Sequence, residues 1–505
     1  MKYIDNFLNG ITMYKLVLYG LMILSAVSVA LGFIGLLPFS GLSLIYSLFT
    51  LGIVCSITNN IFAGIFKVQT NSESYLISAL ILFFVTFPIE SMFDFKMLVL
   101  VAVLAMASKY ILVIKKKHIF NPVAISLVIL GLFGFGVGAW WVGSGVMFIP
   151  VIVLGFLVLR KLRRFSMFFA FFVTAILSVG IVGFLNGYGI LGILKEIFTS
   201  WPVIFFGSIM FTEPLTTPPT KKLQISYGAL VGILFGMQFH VGTLYSSPEL
   251  ALVIGNIFSY LVSPRARLVL TLKQKNKLTA DVYDFVFNSP EKLNFKPGQY
   301  LEWTLGHKKP DIRGNRRYFT IASSPTEESI ILGTKFYPNP STFKQKLLSL
   351  NTGDKLIASQ LSGEFNMPED TNKKLVFLAG GIGVTPFRSM AKYMLDKKER
   401  RDIVFFYSNK TPEDIAYRDI FDTANREVGW KNIYVVNESG TNTDLNNMRT
   451  GFITGDMITK EVPDYKDRMF YISGTHGMVS TFETTLQKLG VPGSQIKTDF
   501  FPGFV

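Results

Sequence analysis

The stretch "SYLVSPRARLVL", Ser259–Leu270, divides the chain into two unlike parts. Upstream, to about Val262, Leu, Ile, Val, Phe and Gly dominate, and charges fall in short clusters. From Arg265 onward, charges of both signs are spread as in a soluble globular protein. At 505 residues the chain exceeds one ordinary domain, and this join is the first boundary.

Working backward, a membrane span needs about 20 mostly apolar residues. The stretches 13–37, 42–66, 74–90, 97–114, 120–138, 146–159, 166–185, 201–212, 225–243 and 249–262 are candidates, about ten helices within a membrane domain over 1–262. Placing their loops on alternate sides sends Lys2, Lys67, Lys115–Lys117, Arg160, Lys161, Arg163, Arg164, Lys221, Lys222, Arg265 and Arg267 to one side. The other side receives only Lys96 and Lys195. Basic loops stay in the cytoplasm, so this count predicts a multi-pass protein of the cytoplasmic membrane with both termini inside. The net charge of +15 then reflects those loops, and lipid replaces nucleic acid as the expected partner, because no basic-aromatic array of an RNA binder is present. The opening segment lacks a cleavage site after a short apolar core, so it reads as a first span.

Working forward, short alternating strands separated by Gly, Pro and Asn turns fill 266–367, from "RLVLTLKQKNKLTADVYDFVFNSP" through "DKLIASQLSGEF". That rhythm predicts a small antiparallel β-barrel. After Asn372 strands alternate with helical segments, which predicts a parallel sheet with covering helices, an α/β domain over 372–505. "LAGGIGVTPF", Leu378–Phe387, follows an apolar strand and opens a helix. Gly380, Gly381 and Gly383 let backbone amides approach a pyrophosphate, and Thr385–Pro386 start the helix whose dipole favours it. Read by itself, "RRYFTIASSP" (Arg316–Pro325) is a basic-edged strand.

A barrel followed by this α/β domain resembles the ferredoxin–NADP reductase family over nearly all of 266–505. The resemblance implies FAD on the barrel and NADH or NADPH on the α/β domain. The family's Arg-x-aromatic-Ser/Thr motif falls on Arg317, Phe319 and Thr320, with Tyr318 between. It implies that Arg317 clamps the flavin pyrophosphate, Phe319 packs on flavin and ribose, and the Thr320 hydroxyl sits near N5. "PNPSTFKQKLL" supplies Ser341 and Thr342 at a helix start, and "SGEF" supplies Gly363 beside the FAD. "YISGTHGM" takes the place of the family's Cys-Gly-Pro motif, with Ser473 for Cys, Thr475 for Pro, and Gly474 and Met478 for nucleotide binding. The ending "KTDFFPGFV" offers Asp499, Phe500 and Phe501 to the flavin. Thr320, Ser473 and Asp499 are the candidate catalytic residues. The stretch "YSNKTPEDIAYRD" leaves NADH and NADPH both open.

The membrane part carries a second resemblance. "FNPVA", "TEPLTTPPT" and "SESYLISALILFFV" are similar to the related membrane subunits of two electron-transport complexes, the sodium-translocating NADH:quinone reductase and the Rnf complex. Those relatives attach FMN to the Thr of a Ser-Gly-Ala-Thr motif, whereas this chain has Ser144-Gly145-Val146-Met147. The missing hydroxyl argues against covalent FMN and against sodium coupling.

A nicotinamide gives two electrons as hydride, and a flavin can release them singly, so an acceptor is needed. One cysteine, Cys55, cannot ligate an iron–sulfur cluster, which takes four ligands. Of four histidines only His118 and His240 lie in the first part, too few for paired bis-His haems. No metal site is expected. The expected acceptor is a non-covalent second flavin or a quinone in the membrane domain, lined by Asn121–Pro122 and Thr212–Thr220, with other electron-transport subunits as further partners. Two other readings stand beside it: a redox-driven ion transporter, and a reductase of a soluble acceptor anchored by its helices.

Overall fold

The computed structural model describes residues 2–66, 72–114, 117–263, 268–307, 310–311, 314–437 and 447–499. Lys67, Lys115, Lys116, Arg265, Arg267, Phe500 and Phe501 lie outside the described residues. The chain forms two compact units, Met1–Ala266 and Arg267–Val505.

The first unit is helical. A short helix α1 (Lys2–Gly10) precedes α2 (Met13–Phe33), α3 (Gly41–Ile65), α4 (Ser72–Val85) and α5 (Met92–Ile111). A two-residue hairpin, β1 (Val113–Ile114) with β2 (Lys117–His118), leads into α6 (Pro122–Leu132). Then come α7 (Phe148–Leu162), α8 (Phe165–Leu185), α9 (Ile190–Thr199) and α10 (Val203–Phe205), which continues as a π turn to Met210. Helix α11 (Lys221–Gly236), a hairpin of β3 (His240–Val241) with β4 (Leu244–Tyr245), and α12 (Pro248–Val262) complete the unit.

The structure does not confirm the ten apolar stretches as ten spans. Among the described residues four helical stretches are long and apolar enough to cross a membrane: Met13–Phe33, Gly41–Ile65, Gly145–Leu162 and Phe165–Leu185. They become five if α9 and the Val203–Met210 segment, bent by 56°, count as one. Helix α6 has only 11 residues and α4 only 14, roughly 16 and 21 Å against a hydrocarbon core of about 30 Å. The stretch 225–243 stops at Gly236 and turns into the β3–β4 hairpin that carries His240.

Helix α6 starts inside the unit because a buried side chain caps it. Asn121 Oδ1 accepts from the amides of Val123 and Ala124 and starts α6, with Pro122 in the first turn. The Asn121 amide donates to Asn256 Oδ1 of α12 at 2.8 Å, and Asn121 Nδ2 donates to Glu213 Oε2 at 2.9 Å. Asn256 Nδ2 reaches Tyr227 Oη at 3.2 Å, and Tyr227 stacks on Phe211 with centroids 4.7 Å apart. The two segments expected to line an acceptor site, around Asn121 and Thr212–Thr220, thus meet through Glu213. Lys109 of α5 is buried and donates to the Ser74 carbonyl at 3.0 Å, while Glu249 accepts from Trp140 Nε1 at 3.0 Å.

Helix α11 presents Gly228, Gly232 and Gly236 to α8 at a spacing of four. A Cβ on them would lie 2.6 Å from Met167 O, 2.1 Å from Thr174 Oγ1 and 2.4 Å from Val179 N respectively. Small residues at this spacing let backbones approach, which is how helices pack where apolar burial gives no net drive.

The second unit holds two sheets. Strands β5 (Leu268–Lys277), β6 (Val282–Asn288), β7 (Tyr300–Thr304), β8 (Arg316–Thr320), β9 (Ile330–Lys335) and, after α13 (Thr342–Leu348), β10 (Lys355–Ser362) form an antiparallel sheet. Its order is β8-β7-β10-β5-β6-β9. The Ala322 amide, just past β8, donates to Ile331 O of β9 at 2.9 Å, so the two edges meet and the sheet curls into the expected barrel. Trp303 fills its centre and donates through Nε1 to Phe319 O at 3.1 Å.

The α/β part runs β11 (Leu375–Gly380), α14 (Thr385–Lys397), β12 (Ile403–Asn409), α15 (Arg418–Val428), β13 (Trp430–Val436), β14 (Met448–Thr450), α16 (Gly455–Glu461), β15 (Met469–Ser473), α17 (His476–Lys488) and β16 (Ile496–Asp499). The sheet is parallel, in the order β14-β13-β12-β11-β15-β16. Strand β11, buried from Leu375 to Ala379, lies near its middle, as its unbroken apolar run requires.

Gly232→Leu is expected to force α8 and α11 apart and to cost about 1–3 kcal/mol or more. Thermal unfolding in detergent should show a lower midpoint than wild type, whereas Gly52→Leu, at a position with open space around its Cα, should not.

Candidate functional site

The carboxyl ends of β11, β15 and β16 lie side by side, which is where ligands of open α/β sheets bind. In register, Ala379 pairs with Ser473, and Ser473 pairs with Asp499. From the barrel, Thr320 at the end of β8 donates to Asp499 Oδ2 at 3.5 Å. The three candidate catalytic residues are therefore brought to one place by two different sheets.

The glycine-rich turn opens at the same edge. Gly380 ends β11, residues Gly381–Val384 form a 3-10 turn, and Thr385–Pro386 begin α14. Gly381 has φ +51 and open space around it. Gly383 needs its missing side chain, since a Cβ would lie 2.5 Å from Ser473 O. Met478 packs its sulfur over both Gly380 and Gly474, where Cβ atoms would lie 2.1 and 2.7 Å away. Thr475 accepts from the Met478 amide and caps α17, so the residue standing for the family's proline starts a helix instead.

On the barrel, the strand pleat divides the motif between two faces. Arg317 lies over the Phe343 ring, 5.2 Å from its centroid, and Phe319 is 6.0 Å from the same ring. The Arg317 guanidinium also holds Asp311 Oδ1 at 3.4 Å, and Asp311 Oδ2 accepts from the Thr342 amide at 3.1 Å. Ser341 caps α13 by accepting from Lys344 N. His307 Nε2 lies 3.0 Å from Thr342 Oγ1. Tyr318 shares the other face with Thr320, and its hydroxyl donates to Glu302 Oε2 at 2.9 Å. Phe501 lies outside the described residues.

Tyr300, not singled out from the sequence, pairs in register with Thr320 and meets Tyr318 edge-on at 5.7 Å. Gly363, at φ +115, leaves room beside it, since a Cβ there would lie 3.1 Å from Tyr300 Cδ1. Gln360 also has positive φ, at the irregular register of β10, so the strand bends where this face is built. Tyr300's signal was its place in "GQYLEW", one strand from the motif.

A second group escaped the sequence altogether. Asp284 of β6 accepts from Tyr417 Oη, and Arg388 of α14 pairs with Glu327 from the β8–β9 connection. Asp284, Arg388 and Tyr417 are all buried. Burial raises the Asp284 carboxyl to about 6, opposed by the Tyr417 hydrogen bond and the Arg388 charge. Among the described residues no three His, Cys, Asp or Glu side chains gather to hold a metal ion.

Comparison with known proteins agrees with this geometry. Residues 377–484 match the oxidoreductase NAD-binding domain family. The chain is 27% identical over 228 residues to the glycine betaine monooxygenase reductase subunit of Chromohalobacter salexigens, covering 44% of this chain and 61% of that protein. It is 27% identical over 218 residues to the NADH oxidoreductase HCR of Escherichia coli, covering 42% and 62%. To the flavohemoprotein of Bacillus cereus it is 24% identical over 234 residues, covering 44% and 58%. The chain thus spans about three fifths of the length of these relatives. The second unit is thus a barrel followed by a parallel α/β domain, and residues 377–484 of the latter match the oxidoreductase NAD-binding domain family.

Asp284 sets a pH signature. An unfolded Asp loses its proton near pH 3.9, while folded Asp284 keeps it to about 6. Between those values the folded state binds the extra proton, so the contribution of Asp284 to stability falls as pH rises, by about 2–3 kcal/mol in all. Wild type should therefore gain stability over Asp284→Asn as pH drops from 6 to 4, read from unfolding midpoints of both proteins.

Proposed function

We propose that the protein is an FAD-dependent NAD(P)H oxidoreductase of the cytoplasmic membrane. Hydride passes from NADH or NADPH to FAD, and electrons continue to a non-covalent second flavin or a quinone among the helices. The observation that carries this reading is the meeting of Thr320 from the barrel with Asp499 and Ser473 from the nucleotide sheet, beside the glycine-rich turn. Relatives named as reductases support the same chemistry.

The donor set suits the cofactor. Arg317 and the Thr342 amide already hold one carboxylate, that of Asp311, and a pyrophosphate asks for the same donors. Bound FAD would supply a ring that takes hydride and releases electrons singly. The chain's own residues would do the rest. Arg317 would neutralise the pyrophosphate, Tyr300 and Tyr318 would wall the ring's face, and the Thr320 hydroxyl, tied to Asp499, would stand at the reacting edge. Gly380, Gly381 and Gly383 would admit the nucleotide's phosphates to the start of α14.

For the helical unit, the capped start of α6 and the Glu213–Asn121–Asn256 chain support an acceptor site there, since polar backbone survives in apolar surroundings only where it is buried or lines a cavity. Lipid and a quinone are then the proposed partners, along with other electron-transport subunits. The buried Lys109, with Glu213 and Glu249 held by side chains of other segments, favours one second reading, a redox-driven ion transporter.

The protein purified in mild detergent should contain one FAD per chain by mass spectrometry and absorbance, and NADH or NADPH should bleach it anaerobically. Arg317→Ala should weaken FAD retention about tenfold. A chain without flavin, or one with a Soret band, would contradict the reading.

A further inference from the structure

We infer that Asp284, Tyr417, Arg388 and Glu327 form a positioning clasp that fixes Thr320 of the barrel relative to the glycine-rich turn, and so sets the hydride-transfer geometry. The inference rests on the reductase reading above.

Three observations carry it. First, α14 grips the segment that follows Thr320. Arg388 Nη1 donates to Ala322 O at 3.1 Å and its guanidinium pairs with Glu327, with Nη2 to Oε1 at 2.9 Å. The next residue, Ser389, donates through Oγ to Ser323 O at 2.7 Å. Ala322 and Ser323 lie two and three residues beyond Thr320, and Arg388 lies three beyond Thr385, so the grip joins the two ends that must face each other.

Second, the parts meet at one point with no slack. A Cβ on Gly333 of β9 would lie 2.5 Å from Tyr417 Oη, 2.9 Å from Thr385 Cγ2 and 3.1 Å from Asp284 Oδ1. Barrel strand, tyrosine, acid and the first residue of α14 close on that glycine. Third, Tyr417 holds φ +58, which a non-glycine residue seldom adopts unless its surroundings impose it. Its ring also lies beneath the Arg388 guanidinium, 5.8 Å from the centroid.

Stability alone is a weak reason for such a cluster. Buried ion pairs often contribute little net free energy compared with apolar packing, and their best-attested use is to fix one arrangement. Hydride transfer needs that fixity, because a shift of about 1 Å in reacting groups can slow a step about 100-fold.

The test uses the full chain in detergent, with anaerobic stopped-flow bleaching of the flavin by NADH and NADPH. FAD content, nucleotide dissociation constant and unfolding midpoint are measured in parallel. Tyr417→Phe removes one oxygen, and Gly333→Ala inserts one methyl at the meeting point. Both should slow bleaching about 10- to 100-fold, with FAD content and nucleotide binding within about twofold of wild type. Asp284→Asn, which keeps an oxygen to accept from Tyr417, should stay within about threefold of wild type. Bleaching within about twofold of wild type in both Tyr417→Phe and Gly333→Ala would overturn the clasp, as would slowing matched by loss of FAD. Should Gly333→Ala fail to fold, Tyr417→Phe decides alone. A wild-type flavin that neither nucleotide bleaches would overturn the reductase reading itself, and the clasp with it.

Discussion

Backbone amides and carbonyls buried in apolar surroundings must find partners, and both units are shaped by that requirement. In the helical unit it decides where helices stop. Helices α6, α11 and α12 begin at Asn121, Thr220 and Ser247, whose side chains accept from the first-turn amides. With its start capped by the buried Asn121, α6 in particular need not run the full depth of a bilayer. The hairpins before α6 and α12 repeat the arrangement, each followed by a proline in the first turn. The Asn121–Asn256 hydrogen bond ties the start of α6 to α12.

In the second unit the same demand is met by ladders. Strand β11 bonds on both sides along its length, to β12 and β15, and can be apolar on both faces because helices cover it. Its ladder ends at the glycines, where backbone amides are released from the sheet and become available to a ligand. The register that pairs Ala379 with Ser473 and Ser473 with Asp499 then places chemistry beside those amides. Barrel and sheet share an apolar core that takes in Val282 and Phe365, and further contacts fix their mutual placement. Arg388, Ser389, Tyr417 and Gly333 supply them.

Local signals in the sequence were legible where the chemistry is local. The glycine-rich turn, the Ser341 cap and the Asn-Pro helix start each depend on residues within about four positions, and each stands where expected. The count of spans was not legible, because a hydropathy window cannot see that Asn121 will be buried as the cap of a short helix. It reads an apolar run such as 120–138 as one helix, whereas the helix ends at Leu132. Asp284, Tyr417 and Glu327 were invisible for a different reason. Asp284 and Tyr417 stand 133 residues apart, and only the fold makes them neighbours.

The most direct measurement is anaerobic reoxidation of the NAD(P)H-bleached flavin, with the full chain in vesicles whose bilayer contains quinone. Flavin colour should return as quinone is reduced, with continued nucleotide consumption while quinone lasts. Flavin that stays bleached in quinone-loaded vesicles, yet regains colour with a water-soluble acceptor, would contradict electron entry into the helical unit.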